Sequence, residues 1–359
     1  RQRQAAWAAL KDTAAQLFLG AEAGKSVFGS ASIARRAAEE ARHDAYVLGT
    51  LGWAYYQLGL HAPAGPQQRA ERAKSMLRAA DLFDKALGAN AQDVFAAQGL
   101  AILLADDALG DPNAAPDAIE ARRKAAAEDA AALFGKLREV RDDASVYVCQ
   151  GHALMLCGAL ERAAHVYELA LTRRGGARDP AVLQYSARAL YALGLRDRHF
   201  AHLQLAMQQL AAADETLAAR GPAEGTSAVA LERKQLAYNR AVMAQKALQM
   251  LYDLPVEQRS SADLAVAIEW VESAQAALPP LVEAAQQGQL LYITADAVEQ
   301  RAKYAEVSLL RQAPAQLEET RTHEAEHAAQ LQRLDEKQRE KEAQLAQRQR
   351  EKEEEHRRK

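Results

Sequence analysis

Three features of this chain of 359 residues predict an all-α fold, a tetratricopeptide-type right-handed helical solenoid that ends in a long charged helix. Alanine is abundant and aromatics are few, at 6%, a composition that favours helix almost throughout. Glycine and proline cluster between periodic segments. The third feature is a recurring register of bulky and small residues, clearest between Ser145 and Gln208. There Tyr147, Gly151, Leu154, Ala163, Tyr167 and Ala170 hold the spacing of a tetratricopeptide helix pair. Small residues at Gly151 and Ala163 let two antiparallel helices approach closely, and the bulky ones fill the space around the crossing. One such pair cannot bury both of its faces, so neighbours must stack on either side.

The remaining segments follow in chain order. Trp7, Leu10, Ala14 and Leu17 give a helical stripe, Gly20 to Ser30 a loop, and Ile33 to Ala41 a second helix. The next first helix carries Leu48, Leu51, Gly52 and Tyr55. A turn-rich insertion with Pro63, Gly65 and Pro66 leads to a partner helix through Leu77, Ala79, Phe83 and Ala86. A third copy has Phe95, Leu100, Ala101 and Leu104, is interrupted around Pro112 and Pro116, and resumes at Ala130, Phe134 and Leu137. After the central pair the register returns at Leu183, Ala187, Leu190, Leu203 and Ala206. Equivalent small residues lie 41, 49, 50 and 36 apart from Lys11 through Gly52, Ala101 and Gly151 to Ala187. The unit repeat of this class is about 34, so the excess belongs to loops or lengthened helices, and Lys11 and His199 stand where a small residue is expected.

Gly221 to Ser227 reads as a loop and Val229 to Leu251 as a helix. Ser260 or Ser261 is the expected N-cap of the next one, through Leu264, Ile268, Val271 and Ala274. Pro279 and Pro280 are expected to end it. Leu281, Leu290, Ile293, Val298 and Val307 then predict one last amphipathic helix that caps the stack, with Pro314 as its boundary. The resulting division is 1–313 for the solenoid, with insertions near 59–68 and 108–120, and 314–359 for a single charged helix. That last segment carries favourable i,i+4 pairs such as Asp335 with Arg339 and Glu354 with Arg358. Its leucines do not recur over successive heptads, so it reads as a solvated helix of roughly 65–70 Å rather than a coiled coil.

A net charge of -3 points to neither nucleic acid nor a membrane surface, and two cysteines do not make a disulfide framework. No apolar run is long enough to span a bilayer. The chain opens on Arg1 without a signal-peptide pattern and reads as part of something longer. Gly20 to Ser26 resembles a phosphate loop, but it has three residues between its glycines where four are needed, and a helix precedes it. Cys149 and Cys157 with His152 and His165 nearby, or His199 with His202, are conceivable metal ligands; buried structural thiols are the simpler reading of the first group, and the second shows no third ligand. No catalytic constellation is found, so no cofactor or metal is expected and the chain reads as a non-enzyme.

First helices of stacked repeats line a groove, and by that register Trp53, Tyr56, His152, Arg188 and Tyr191 are its candidate partner-binding residues. Exposed Trp, Tyr and Arg are the types that carry interface energy. The alternative for Trp53 and Tyr191 is packing between repeats.

Certain runs go beyond generic repeats. Asp44-Ala45-Tyr46, Leu51-Gly52, Arg78 to Leu87, Asn90 to Ala101, Val182 to Leu190 and Tyr238-Asn239-Arg240-Ala241-Val242 resemble, in order, the large tetratricopeptide subunit of the RNA polymerase II-associated factor (PAF) elongation complex. The resemblance extends over about Trp7 to Gln312; beyond Ala315 only composition matches. It implies a nuclear scaffold that holds the other subunits of the complex, including the parafibromin-like one. The charged helix would lie along RNA polymerase II, supporting elongation and co-transcriptional histone modification. It implies neither a membrane nor sequence-specific nucleic acid as a direct partner. Insertions at Pro63 and Pro112 and the high alanine content depart from that family. A cytoplasmic tetratricopeptide adaptor for short peptide tails is the alternative. Its carboxylate clamp is represented here only by Arg188 and Asn239. An enzyme with a helical domain is a third class, and the missing catalytic residues count against it.

Overall fold

The computed structural model describes residues 44–61, 66–107, 115–173, 178–220, 228–290 and 293–358. The helices expected around Trp7 and Ile33, the phosphate-loop look-alike, Lys11 and the 221–227 loop lie outside them. The described residues are helical nearly throughout and contain no β-strand. They divide between two compact units, 1–190 and 191–359.

In the first unit the chain forms consecutive antiparallel pairs: α1 (Ala45–Leu60) with α2 (Pro66–Ala89), α3 (Val94–Ala105) with α4 (Pro116–Val140), and α5 (Ala144–Leu156) with α6 (Leu160–Leu171). The long connections feed helices that begin on their own prolines, Pro66 and Pro116, where a missing N–H costs nothing. Each first helix starts on an aspartate whose carboxylate accepts first-turn amides. Asp44 takes Val47 N, Asp93 takes Phe95 N and Ala96 N, and Asp143 takes Ser145 N. Asp179 does the same for Ala181 N at the head of α7 (Pro180–Asp197). Eight residues after each aspartate stands the small residue of the register, Gly52, Ala101, Gly151 and Ala187, and all four are buried.

The crossings have the predicted chemistry. A Cβ on Gly52 would meet Phe83 Cδ1 at 2.7 Å and one on Gly151 would meet Tyr167 Cζ at 2.7 Å. Near the tip of the first pair, Gly59 abuts Met76 at 2.9 Å in the same sense. The closest approach in α3 is made by Gly99, two residues before Ala101, and it faces Phe83 of the preceding pair at 2.6 Å from Cε2. Ala101, Ala130, Phe134, Ala153, Leu154, Ala163 and Tyr167 share one buried cluster that crosses from pair to pair, and α1 touches α3 as α3 touches α5. This is layered packing of first helices. Gly158, at φ +80°, closes α5: its N–H reaches Met155 O and Ala159 N–H reaches Leu154 O.

The second unit holds the end of α7, α8 (Phe200–Ala219), α9 (Ala228–Tyr252), α10 (Ser261–Gln286), α11 (Ala295–Tyr304), a π-helical turn at Ala305–Leu310 and α12 (Ala313–Arg358). Here the close approach is at Gly194, whose Cβ would meet Leu203 Cδ2 at 2.7 Å. His199, in the small-residue slot, precedes α8 as its N-cap residue and is exposed, so its size meets no limit. Ser260 is the cap of α10, accepting from Asp263 N.

Three expectations fail in this unit. Pro279 and Pro280 do not end a helix; both lie inside α10 on its exposed side. Each removes an N–H and disfavours helix by about 3 kcal/mol relative to alanine. Leu278, Leu281 and Ala284 are buried together on the opposite side, and burying them keeps the helix running. Nor is there one last amphipathic helix from Leu281 to Val307. Gly288, at φ +69°, stops α10 with the same double bond seen at Gly158, Gly288 N to Ala285 O and Gln289 N to Ala284 O. Val307 is exposed. Finally, the charged helix is not solvated from its start. Ala313 and Thr320 are buried, and full exposure begins at Ala325.

Candidate partner-binding surfaces

In the first unit, Trp53 is half-buried and meets Phe83 edge-on at 5.5 Å and Tyr56 at 5.6 Å. Tyr56, one turn on, is half-buried as well. Burial, then the Asp106 carboxylate, pushes its phenol above the ordinary range. Asp106 is exposed at the end of α3, yet its surroundings desolvate the carboxyl and hold it above the usual carboxylate range, against the pull of Arg72. Tyr56, Asp106 and Arg72 thus share one neighbourhood.

His152 and Arg188 share another. The His152 ring is half-buried, with Nδ1 2.7 Å from Tyr167 Oη and its plane edge-on to Tyr185 at 4.5 Å. Burial, then the nearby Arg188 guanidinium, lowers its pKa, which favours a neutral ring accepting from the tyrosine. Burial also pushes the Tyr167 hydroxyl far up, so it stays a donor. Arg188 is exposed and, among the described residues, has no acidic partner. Cys149, one turn before His152, has its thiol pushed up by burial and accepts a long bond from Gln98 Nε2 at 3.7 Å.

Beneath this surface runs a polar seam that the register did not single out. Gln98 and Gln150 are buried polar residues, each directly before a close-packed glycine. Arg141 Nη1 donates to Gln98 Oε1 at 3.3 Å and Arg138 Nη1 to Gln150 Oε1 at 2.8 Å, while Gln150 Nε2 reaches Ala131 O at 3.1 Å. Arg141 also covers the exposed Phe95 ring at 4.6 Å. The repeated Gln-Gly in two first helices was the available sign.

In the second unit, Tyr191 is half-buried, its hydroxyl pushed up to about 12 by burial. Asn239 accepts from Gln235 Nε2 at 3.5 Å on α9. The next residue, Arg240, lines a shallow cavity of about 100 Å³ with Met207, Ala237, Trp270, Ser273, Ala274 and Ala277. Trp270 stacks on Phe200 at 5.3 Å. The His199 and His202 rings lie 4.8 Å apart. Among the described residues no three His, Cys, Asp or Glu side chains are grouped to hold a metal ion, and no helix is long and apolar enough to cross a membrane. Cys149 and Cys157 are both free thiols.

No protein-family model matches the chain, and no curated protein does. Solved structures resemble it, among them the following two. One, from work titled "Computational Design of Self-Assembling Cyclic Protein Homooligomers", is 16% identical over 89% of this chain and 95% of its own, with a TM-score of 0.17. The other is yeast Tom70, 15% identical over 85% of this chain and 72% of its own, with a TM-score of 0.18. Both scores are low, and the architecture rests on the packing described above.

Proposed function

We propose that the chain is a non-catalytic nuclear scaffold of the PAF elongation-complex type. Its repeat surfaces hold other subunits, including the parafibromin-like one, and its terminal helix docks on RNA polymerase II. One observation carries the scaffold reading: residues 325–350 form a continuous helix exposed on every side and joined to a buried base. A helix with that much exposed surface offers a long side for a partner to lie along. The runs from Asp44 to Val242 support the narrower assignment to this complex.

The test is affinity capture from nuclear extract with the whole chain and with a chain truncated after Glu324. Recovery of elongation-complex subunits by both, and of polymerase only by the whole chain, is the expected outcome. Recovery of chaperones instead favours the cytoplasmic adaptor, for which the exposed Arg188 beside His152 is the supporting feature.

A further inference from the structure

The base of α12 is held to α10 by a compact polar clamp. Glu324 Oε1 accepts from Ser261 N at 2.8 Å and Glu324 Oε2 from Ser261 Oγ at 2.5 Å, so a carboxylate from 63 residues further along the chain completes the N-terminus of α10. Arg259 is fixed by Leu254 O at 2.7 Å and Tyr252 O at 2.8 Å, and reaches Gln316 and, at 3.7 Å, Glu319. Asp263 lies beside Glu324. From Ala325 to Arg350 the helix is exposed.

We propose that Ser261 is a phospho-acceptor whose modification releases the base of α12 from α10. In the transfer, the γ-phosphoryl group of a nucleoside triphosphate passes to Ser261 Oγ under a serine kinase. An O–P bond forms, the bond to the β-phosphate oxygen breaks, the nucleoside diphosphate leaves, and the hydroxyl proton goes to the kinase's carboxylate. The hydroxyl that donated to Glu324 becomes a group of charge about -2 facing both Glu324 and Asp263. Helix α10 loses nothing, because a phosphate at its first turn is favoured by the helix dipole and can take the amide that Glu324 leaves. Arg259, two residues earlier, exchanges carboxylate for phosphate. Arg259 and Ser260 have extended backbone, the form in which a kinase cleft takes its substrate. The kinase acts on the transiently undocked state, and the phosphate then holds it open.

This adds regulation to the proposed arm, but hydrogen exchange on the chain alone reads it whether or not the scaffold reading holds. The whole chain is prepared with phosphoserine at 261. Amides of 313–324 are expected to exchange at least about tenfold faster, with α10 unchanged. In Glu324→Gln, whose amide can donate to the phosphate, the same modification is expected to accelerate them by less than about twofold. Unchanged exchange over 313–324, loss of α10 itself, or equal acceleration in Glu324→Gln overturns the proposal. Incubating the whole chain with an arginine-directed serine kinase and ATP is expected to place phosphate on Ser261, located by mass spectrometry. Phosphate confined to other serines also overturns it.

Discussion

Gly151→Ala isolates the contact on which the central pair depends. The added methyl would sit 2.7 Å from Tyr167 Cζ and 2.8 Å from Cδ1, distances that real Cβ atoms do not show. Tyr167 has little room to yield: its ring is 1% exposed and its hydroxyl is held by His152. Overpacking of this kind costs about 1–3 kcal/mol, and breaking the hydroxyl–imidazole bond adds about 1. Against this, alanine in a helix interior gains up to about 1 kcal/mol over glycine. The net is a loss of about 1–3 kcal/mol, read as a lower urea midpoint and faster amide exchange across α5 and α6. Gly88→Ala is the control, since nothing lies within 4 Å of its Cβ position; it is expected to stabilise by about 0.5–1 kcal/mol. If Gly151→Ala matches Gly88→Ala in sign, the two helices do not cross where the structure puts them.

Two further outcomes follow from α10 and from His152. Pro280→Ala restores an N–H for the Ala276 carbonyl on an exposed face and is expected to stabilise the second unit by about 1–3 kcal/mol in urea denaturation; a gain below about 0.5 kcal/mol means that carbonyl has tilted out of reach. His152 is half-buried, with its pKa below the ordinary 6.5. The unfolded chain therefore binds a proton first, and the first unit should lose stability as pH falls from 6.5 toward the lower folded value. Tyr167, Tyr185 and Arg188 face the ring and none can neutralise an imidazolium. Denaturation midpoints of wild type and His152→Gln between pH 7 and 5 check this, and an identical slope in both would exclude His152 as its source.

The repeat was legible because it is written in short-range sizes. Gly52, Ala101, Gly151 and Ala187 were found by register, and the capping aspartates eight residues before them mark the same frame in a second, independent way. What local rules misjudged was decided by distant partners. Pro279 and Pro280 stop helices in isolation; the burial of Leu278, Leu281 and Ala284 is invisible in their own neighbourhood. Glu324 looks like any charge in a solvated helix until Ser261 is brought to it. The candidate surface shows the same limit. Register says which turn of a first helix faces outward, but not whether a neighbour occupies the side chain. Phe83 takes one face of Trp53 and Tyr167 takes one nitrogen of His152, while Arg188 has no acidic partner among the described residues.

Alanine richness and scarce aromatics are two sides of one packing solution. Helices covered in methyl groups sit close together, and the rings at their tightest crossings, Phe83 and Tyr167, lie against glycines. Phe83 shows how much then depends on one ring: it is fully buried, with Gly52 of its own pair on one side and Gly99 of the next pair on the other. A single side chain therefore sets both the spacing within a pair and the spacing between pairs. A side chain at either glycine must move the same ring, so the two positions constrain each other although they lie on different helices. That coupling is the physical link between layers of a stack whose repeats are otherwise uneven in length.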